Sequence, residues 1–463
     1  KRTLNTAAEL DREIDALTAE YRLVEARIHA ASPRHAALTR PDPLTAADLQ
    51  QLLDDETVLI EVTLGEKRGW MWAVTRASVV VEPLPPRSEV EALARTLYEA
   101  LTARQARAGE GDDARRERLG TADRALEDAR SRLGAILFGP LATRLTGEWA
   151  GKRLAIVPDG ALEYVPLAVL PLPGPVPVGA LPGPPLLDRH EVVQLPSASV
   201  LSLLRRDRPG QAEGITSVAV IGDPVFTPDD PRVARAKKGK APSPRVEGPV
   251  QTASRTALAR ALDGFSDTQG GLSRLPFSRQ EVDAVAAYAP ASRLLKAVDF
   301  RASRATATSG ALADYRIVHF ATHGLLNSAR PELSALVLSL VDEKGREQDG
   351  LLRLSEIYNL RLPAEVVVLS ACQTALGKEI RGEGLVGLTR GFMHAGAARV
   401  VASLWPVDDL ATAELMRRFY RGMLEEKRPP AAALRAAQLE MARSSRWSAP
   451  YYWAGFVLQG EWR

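Results

Sequence analysis

The sequence predicts an α/β protein whose mostly parallel sheet is flanked by helices. Three observations carry that prediction. The stretches Tyr-Arg-Ile-Val-His-Phe-Ala-Thr-His-Gly (315–324) and Glu-Val-Val-Val-Leu-Ser-Ala-Cys-Gln-Thr (365–374) each open with an apolar run rich in β-branched residues, the pattern of a buried parallel strand. Each run ends in small and polar residues, and a parallel α/β sheet gathers its reactive groups at the carboxyl ends of its strands. From Ser278 onward, strand and helix patterns alternate to the end of the chain, which implies a parallel sheet covered on both faces.

Composition bounds the rest. With 463 residues, 45% apolar and 25% charged, the chain reads as globular with two or three domains and ample core. Its 60 basic and 57 acidic residues leave a net charge of +3, which makes no general case for nucleic acid or an anionic membrane. A single cysteine excludes an internal disulfide and fits a reducing cytosol. No apolar run reaches membrane-spanning length and the amino terminus is not signal-like, so a cytoplasmic location is expected. The chain begins at Lys1 and not at methionine, which predicts a fragment or processed form of something longer.

Taken in order, residues 4–29 read as one helix. Ala7, Leu10, Ile14, Leu17, Tyr21, Val24 and Ile28 form a heptad seam. Packing on the chain's own domain, a coiled-coil dimer and the last helix of a repeat array all fit that seam. Pro33, Pro41 and Pro43 then make a connector, and residues 1–40 form one unit. A first α/β half spans 44–206. Thr45 and Asp48 cap a helix from Ala46 to Asp54, strands are expected at 58–64, 70–75 and 78–82, and helices at 88–107 and 119–137. Further strands fall at 154–157 and 191–195, and Ser197 caps a helix ending near Arg206. Asp159, before Gly160, reads as a turn residue.

Residues 207–275 read as an irregular basic linker apart from a strand at 217–221. Arg232, Arg235, Lys237, Lys238, Lys240 and Arg245 follow one another with no acid among them. That reads as a solvated loop or a protease-sensitive tether, and the absence of interleaved aromatics argues against nucleic-acid binding. The second half, 276–463, carries helices near 279–288 and 302–313, a strand at 293–296, a short helix within 350–358, and a helix from Gly384 to His394. A strand at 398–404, helices near 409–426 and 430–443, and a closing strand at 453–458 complete it.

The chemistry concentrates in that half. His323 and Cys372 sit at the ends of the two founding strands, with the histidine 49 positions upstream. A thiol needs a base to become a nucleophilic thiolate, and imidazole is the usual one. The backbone amides of Gly324 and Cys372 are the candidate oxyanion donors. His319, four residues before His323, shares its face and reads as a core histidine. Asp408 and Asp409 either cap the following helix or floor a substrate pocket, and Glu383 is a further acidic candidate. No P-loop and no Gly-x-Ser-x-Gly elbow is present, and one cysteine does not make a structural zinc site. No metal or organic cofactor is expected for a dyad.

His-Phe-Ala-Thr-His-Gly (319–324), Leu-Ser-Ala-Cys-Gln-Thr (369–374), Gly-Glu-Gly-Leu-Val-Gly-Leu (382–388) and Ser-Leu-Trp-Pro-Val-Asp-Asp (403–409) together resemble the CHAT family. These are caspase-like, separase-related proteins usually found behind tetratricopeptide repeats. Weaker resemblance reaches back through Ile-Val-Pro-Asp-Gly-Ala-Leu (156–162), placing the module at about 130–460. The resemblance implies a caspase-like fold with an inactive amino-terminal half, whose one histidine is His190, and an active carboxy-terminal half. It further implies a cysteine endopeptidase with a His323/Cys372 dyad and a protein substrate. An acidic pocket at Asp408 and Asp409 would hold a basic side chain before the cut bond. Regulation by an upstream repeat or sensor region, in bacterial defence or cell death, follows from the same analogy. The competing reading is a catalytically silent scaffold that binds protein partners.

Overall fold

The computed structural model describes residues 44–107, 109–172, 183–206, 217–238, 272, 274–325, 334–373, 383–406 and 408–462, with backbone course only at 206, 237–238, 371–373 and 383–386. The expected helix at 4–29 and the centre of the basic linker lie outside the described residues.

Thirteen strands are described: β1 (Thr57–Thr63), β2 (Gly69–Val74), β3 (Val79–Leu84), β4 (Arg153–Val157), β5 (Val192–Gln194), β6 (Val218–Gly222), β7 (Leu294–Val298), β8 (Ile317–Leu325), β9 (Ala335–Val337), β10 (Leu351–Arg353), β11 (Val366–Gln373), β12 (Arg399–Ser403) and β13 (Phe456–Gly460). They join one sheet in the order β10-β9-β8-β11-β12-β13-β5-β4-β1-β2-β3, with β6 and β7 branching from β8. The central ladders β6–β8, β8–β11, β11–β12, β13–β5, β5–β4 and β4–β1 are parallel. β12–β13 and the two outer flanks, β8–β9–β10 and β1–β2–β3, are antiparallel.

Burial follows this order. Every described position of β6, β8 and β12 is buried, because helices cover both faces of the sheet there. Strand β3, at the sheet edge, alternates instead and leaves Val79 and Val81 exposed. On one face of β8, Phe320 packs on Phe392 of the helix Glu383–Ala395, ring centroids 5.6 Å apart. On the other, His319 meets the helices Ser278–Ala286 and Asp409–Tyr420.

Local signals hold where a short-range mechanism sets them. The capping box of Thr45 and Asp48 is present, and the expected strands of the first half appear with small shifts at their ends. The departures are non-local. The helix expected at 302–313 is only Arg304–Thr308 and yields to Gly310 at φ +81°, a conformation costly to residues with a Cβ. Strands β9 and β10, three residues each, lack a sequence signal because only their partner in the sheet stabilises them. The closing strand is shifted to Phe456–Gly460.

The basic linker needs the largest correction. Pro231–Lys238 is a helix, so Arg232, Arg235, Lys237 and Lys238 are not in an extended tether. Arg232 is ion-paired to Asp223, Asp230 and Asp299 at 3.0, 2.8 and 2.9 Å. The acids that neutralise it stand before the basic run or on another strand's end, outside any charge window read along the sequence. Strand β6, within the same expected linker, is a core strand between β7 and β8.

Candidate active site

Strands β8 and β11 run parallel in unbroken register from the Val366–Ile317 pair to the Gln373–Gly324 pair. In that register residue 372 is the cross-strand partner of His323. Neighbouring strands lie about 4.8 Å apart. Two strands separated by 49 positions therefore bring one imidazole-bearing and one thiol-bearing residue side by side at the carboxyl end. His323 is 5% exposed. Its ring lies 5.2 Å from that of Phe226, tilted by 49°. Gly324, the next residue, is flanked by Gln373 of β11 and Leu336 of β9.

His319, on the same face and four residues deeper, is fully buried. Its Nδ1 is 3.0 Å from the Tyr420 hydroxyl and its Nε2 is 3.0 Å from Glu281 Oε1. The Nδ1 contact is a hydrogen bond, whereas Nε2 and Glu281 Oε1 are close without hydrogen-bond geometry. Burial, and next Glu281, hold the Tyr420 phenol well above its ordinary range.

The two aspartates separate. Asp408 is the N-cap of the helix Asp409–Tyr420 and accepts from the Ala411 amide at 2.9 Å through Oδ1. Asp409, in the first turn, makes no ion pair among the described residues. Burial pushes its carboxyl up to about 6, with Glu281 and Asp408 adding to the effect. The turn leading to it is fixed from both sides. Trp405 is fully buried and donates to the Tyr451 carbonyl at 3.1 Å, Tyr451 donates to the Pro406 carbonyl at 3.0 Å, and Tyr98 donates to the Leu404 carbonyl at 3.3 Å. Glu383 opens the helix Glu383–Ala395, and its side chain lies outside the described residues. Among the described residues no three His, Cys, Asp or Glu side chains converge as a metal site would need, and no helix is long and apolar enough to cross a membrane.

The profile of the CHAT domain matches residues 127–461, more than half the sequence. The chain belongs to the CHAT domain family. Among curated proteins it is 27% identical over 314 residues to "Tetratricopeptide repeat protein 28" of Mus musculus and 26% identical to the Homo sapiens protein of that name. Each match covers 67% of this chain and 12% of the relative, so the chain spans about an eighth of their length. Among solved structures it resembles a chain of the Saccharomyces cerevisiae separase–securin complex, with a TM-score of 0.50 and 10% identity. That match covers 89% of this chain and 30% of the other, and it is a likeness of fold. The fold is thus separase-like and caspase-like, with a mostly parallel central sheet flanked by helices.

Within this CHAT domain the structure brings His323, residue 372 and the Asp409 turn to one edge of the sheet. It also adds residues that sequence reasoning missed. Glu281, 4% exposed, pairs with His319 from a helix outside the four motifs. Phe226 reaches His323 from the loop after β6. Neither carries a local signal: Glu281 looks like one acid on an amphipathic helix, and Phe226 like one apolar residue in a loop. An imidazole-bearing and a thiol-bearing residue thus occupy paired positions near the carboxyl ends of adjacent parallel strands, and the Asp409 carboxyl makes no ion pair among the described residues.

Proposed function

We propose that this CHAT domain is a cysteine endopeptidase in which His323 activates Cys372. The observation that carries the reading is the register pairing of those two residues on β8 and β11. In this reading His323 takes the thiol proton, the thiolate attacks the peptide carbonyl, and the imidazolium returns the proton to the departing amine. The amides of Cys372 and Gly324 serve as oxyanion donors. Asp409 receives a basic side chain preceding the cut bond. A half-buried carboxyl near Glu281 gains most from an incoming cation, through a charge-assisted pair. Asp408 contributes by capping the helix that presents Asp409. Glu383 stands at the start of the helix that follows Cys372 as a second acidic group for the substrate. The first half, 44–206, serves as the inactive support that extends the sheet. An upstream repeat region supplies regulation, a view favoured by the names of the curated relatives.

The test is a peptide series with arginine, lysine, leucine, methionine and aspartate before the scissile bond, with the Cys372→Ala chain as control. Cleavage after arginine and lysine, absent in the control, is the expected result. Turnover of the leucine peptide at an equal or higher rate removes the acidic pocket. No cleavage of any peptide or of a protein substrate favours the scaffold reading.

A further inference from the structure

The ring of Phe226 packs against His323, and the polypeptide that delivers that ring is tied down by several contacts. Strand β6 ends at Gly222, where an added Cβ would lie 2.6 Å from Val282 and 2.9 Å from Ala321. The loop that follows starts at Asp223, whose φ of +50° is a strained conformation for a residue with a side chain. Three arginines hold it there. Arg274 places Nε and Nη2 on the two carboxylate oxygens of Asp223, both at 2.8 Å. Arg279 Nε donates to Oδ2 at 2.9 Å, and Arg232 Nη1 stands 3.0 Å from Oδ1.

The backbone is tied as well. Arg232 donates to the carbonyls of Asp223 and Pro224 at 2.8 and 3.1 Å, and the Asp299 amide donates to the Asp223 carbonyl at 3.2 Å. The Val225 amide donates to Ser339 Oγ at 3.1 Å, and the Val225 carbonyl accepts from the Leu340 amide at 2.9 Å. Phe226 follows directly. It is 8% exposed and packs among Leu325, Val337, Leu340 and Leu351, with its ring 5.2 Å from His323. Strain of this kind persists only where surrounding structure over-determines it. These contacts fix the segment that carries Phe226.

We propose that Phe226 is a positioning residue for His323, setting the plane of the imidazole toward Cys372 and shielding one of its faces from water. His319, the other imidazole on this face, is hydrogen-bonded through Nδ1 to Tyr420 and lies against Glu281. An aromatic flank restricts the imidazole's rotation about its side-chain bonds without engaging a ring nitrogen. The inference deepens the His323–Cys372 reading and rests on it.

The chain's single cysteine makes the test specific, since every alkylation event reports residue 372. The rate of reaction with iodoacetamide is followed against pH for the parent, Phe226→Leu and Leu351→Ala. Phe226→Leu keeps apolar volume but removes the flat ring. Leu351→Ala cuts the same apolar cluster without touching the ring contact. The expected result is a rise of the alkylation midpoint of about one pH unit in Phe226→Leu, with a several-fold slower reaction at pH 7, while Leu351→Ala loses thermal stability and keeps the parent midpoint. A parent midpoint in Phe226→Leu, or an equal shift in Leu351→Ala, overturns the proposal. Alkylation needs no substrate, so the two readings fail separately. A shifted midpoint with no peptide cleaved leaves the positioning role standing and removes the peptidase. Cleavage by the parent with an unmoved midpoint in Phe226→Leu removes only the role of Phe226. A parent midpoint at the ordinary thiol value removes the pair, and Phe226 with it.

Discussion

The carboxyl ends of the parallel strands look alike in backbone and opposite in chemistry in the two parts of the sheet. Beyond β4 the chain turns at Asp159, whose Oδ2 accepts from the Leu64 amide at 2.6 Å and from Arg87 Nη2 at 3.0 Å. Arg87 also donates to the Leu64 carbonyl at 2.6 Å. Each of these hydrogen bonds has a matched partner, and the edge is closed. Beyond β8, β11 and β12 stand His323, residue 372 and Asp409. There the Asp409 carboxyl has Glu281 and Asp408 as its influencing charges and makes no ion pair among the described residues. The histidines differ in where they stand on their strands. His190, in the first part, is fully buried just before β5, at its amino end, and its Nδ1 donates to the Lys152 carbonyl at 2.8 Å. His323 stands near the carboxyl end of β8, before Gly324 and Leu325. Matched partners stabilise the fold, whereas a carboxyl without a cation among the described residues retains interaction energy for a ligand.

The largest expected effect separates the two histidines. If His323 and Cys372 form the proposed dyad, His323→Ala and Cys372→Ala each lower peptide cleavage by on the order of 10³-fold or more while thermal unfolding stays near the parent, because members of one catalytic unit fail together. His190→Ala does the reverse. It destabilises by about 2 kcal/mol through a lost buried side chain and hydrogen bond, and its folded fraction cleaves at the parent rate. Equal losses of cleavage from all three would erase the contrast between the edges.

The two edge carboxylates come next. The Asp409 carboxyl titrates at about 6 in the folded chain against an ordinary 3.8. Between those values the folded state holds the extra proton, so this residue's contribution to stability declines as pH rises through that window. Asp409→Asn should match the parent near pH 4 and exceed it at pH 7.5 by about 2 kcal/mol, the shift discounted for partial exposure. Denaturant titrations at both pH values measure it, and a gain that is the same at both would mean that Asp409 is not strained by its surroundings.

Smaller effects belong to the structural partners. Arg87→Ala should cost about 1 kcal/mol, since the Arg87 and Asp159 side chains are 38% and 31% exposed, with cleavage unchanged. Asp408→Ala, removing a helix cap, should cost about 1 kcal/mol and leave the preference between arginine and leucine peptides as it was. A changed preference would put Asp408 in the pocket beside Asp409.

The sequence by itself determined much of this. Apolar β-branched runs ending in His323 and Cys372 marked two buried strands, and the Thr45 cap and the alternation after Ser278 marked the local elements and the class. Four short motifs fixed the family. These signals are legible because each depends on residues close together in the chain. Only the tertiary structure decided which partners meet. It made Asp408 the cap and Asp409 the unmatched acid, because that choice turns on which carboxylate reaches the Ala411 amide and which lies near Glu281. It folded Arg232 into a helix held by Asp223 and Asp299, and set Phe226 against His323. Register and charge pairing across dozens of residues are properties of the packed sheet, and no window along the chain contains them.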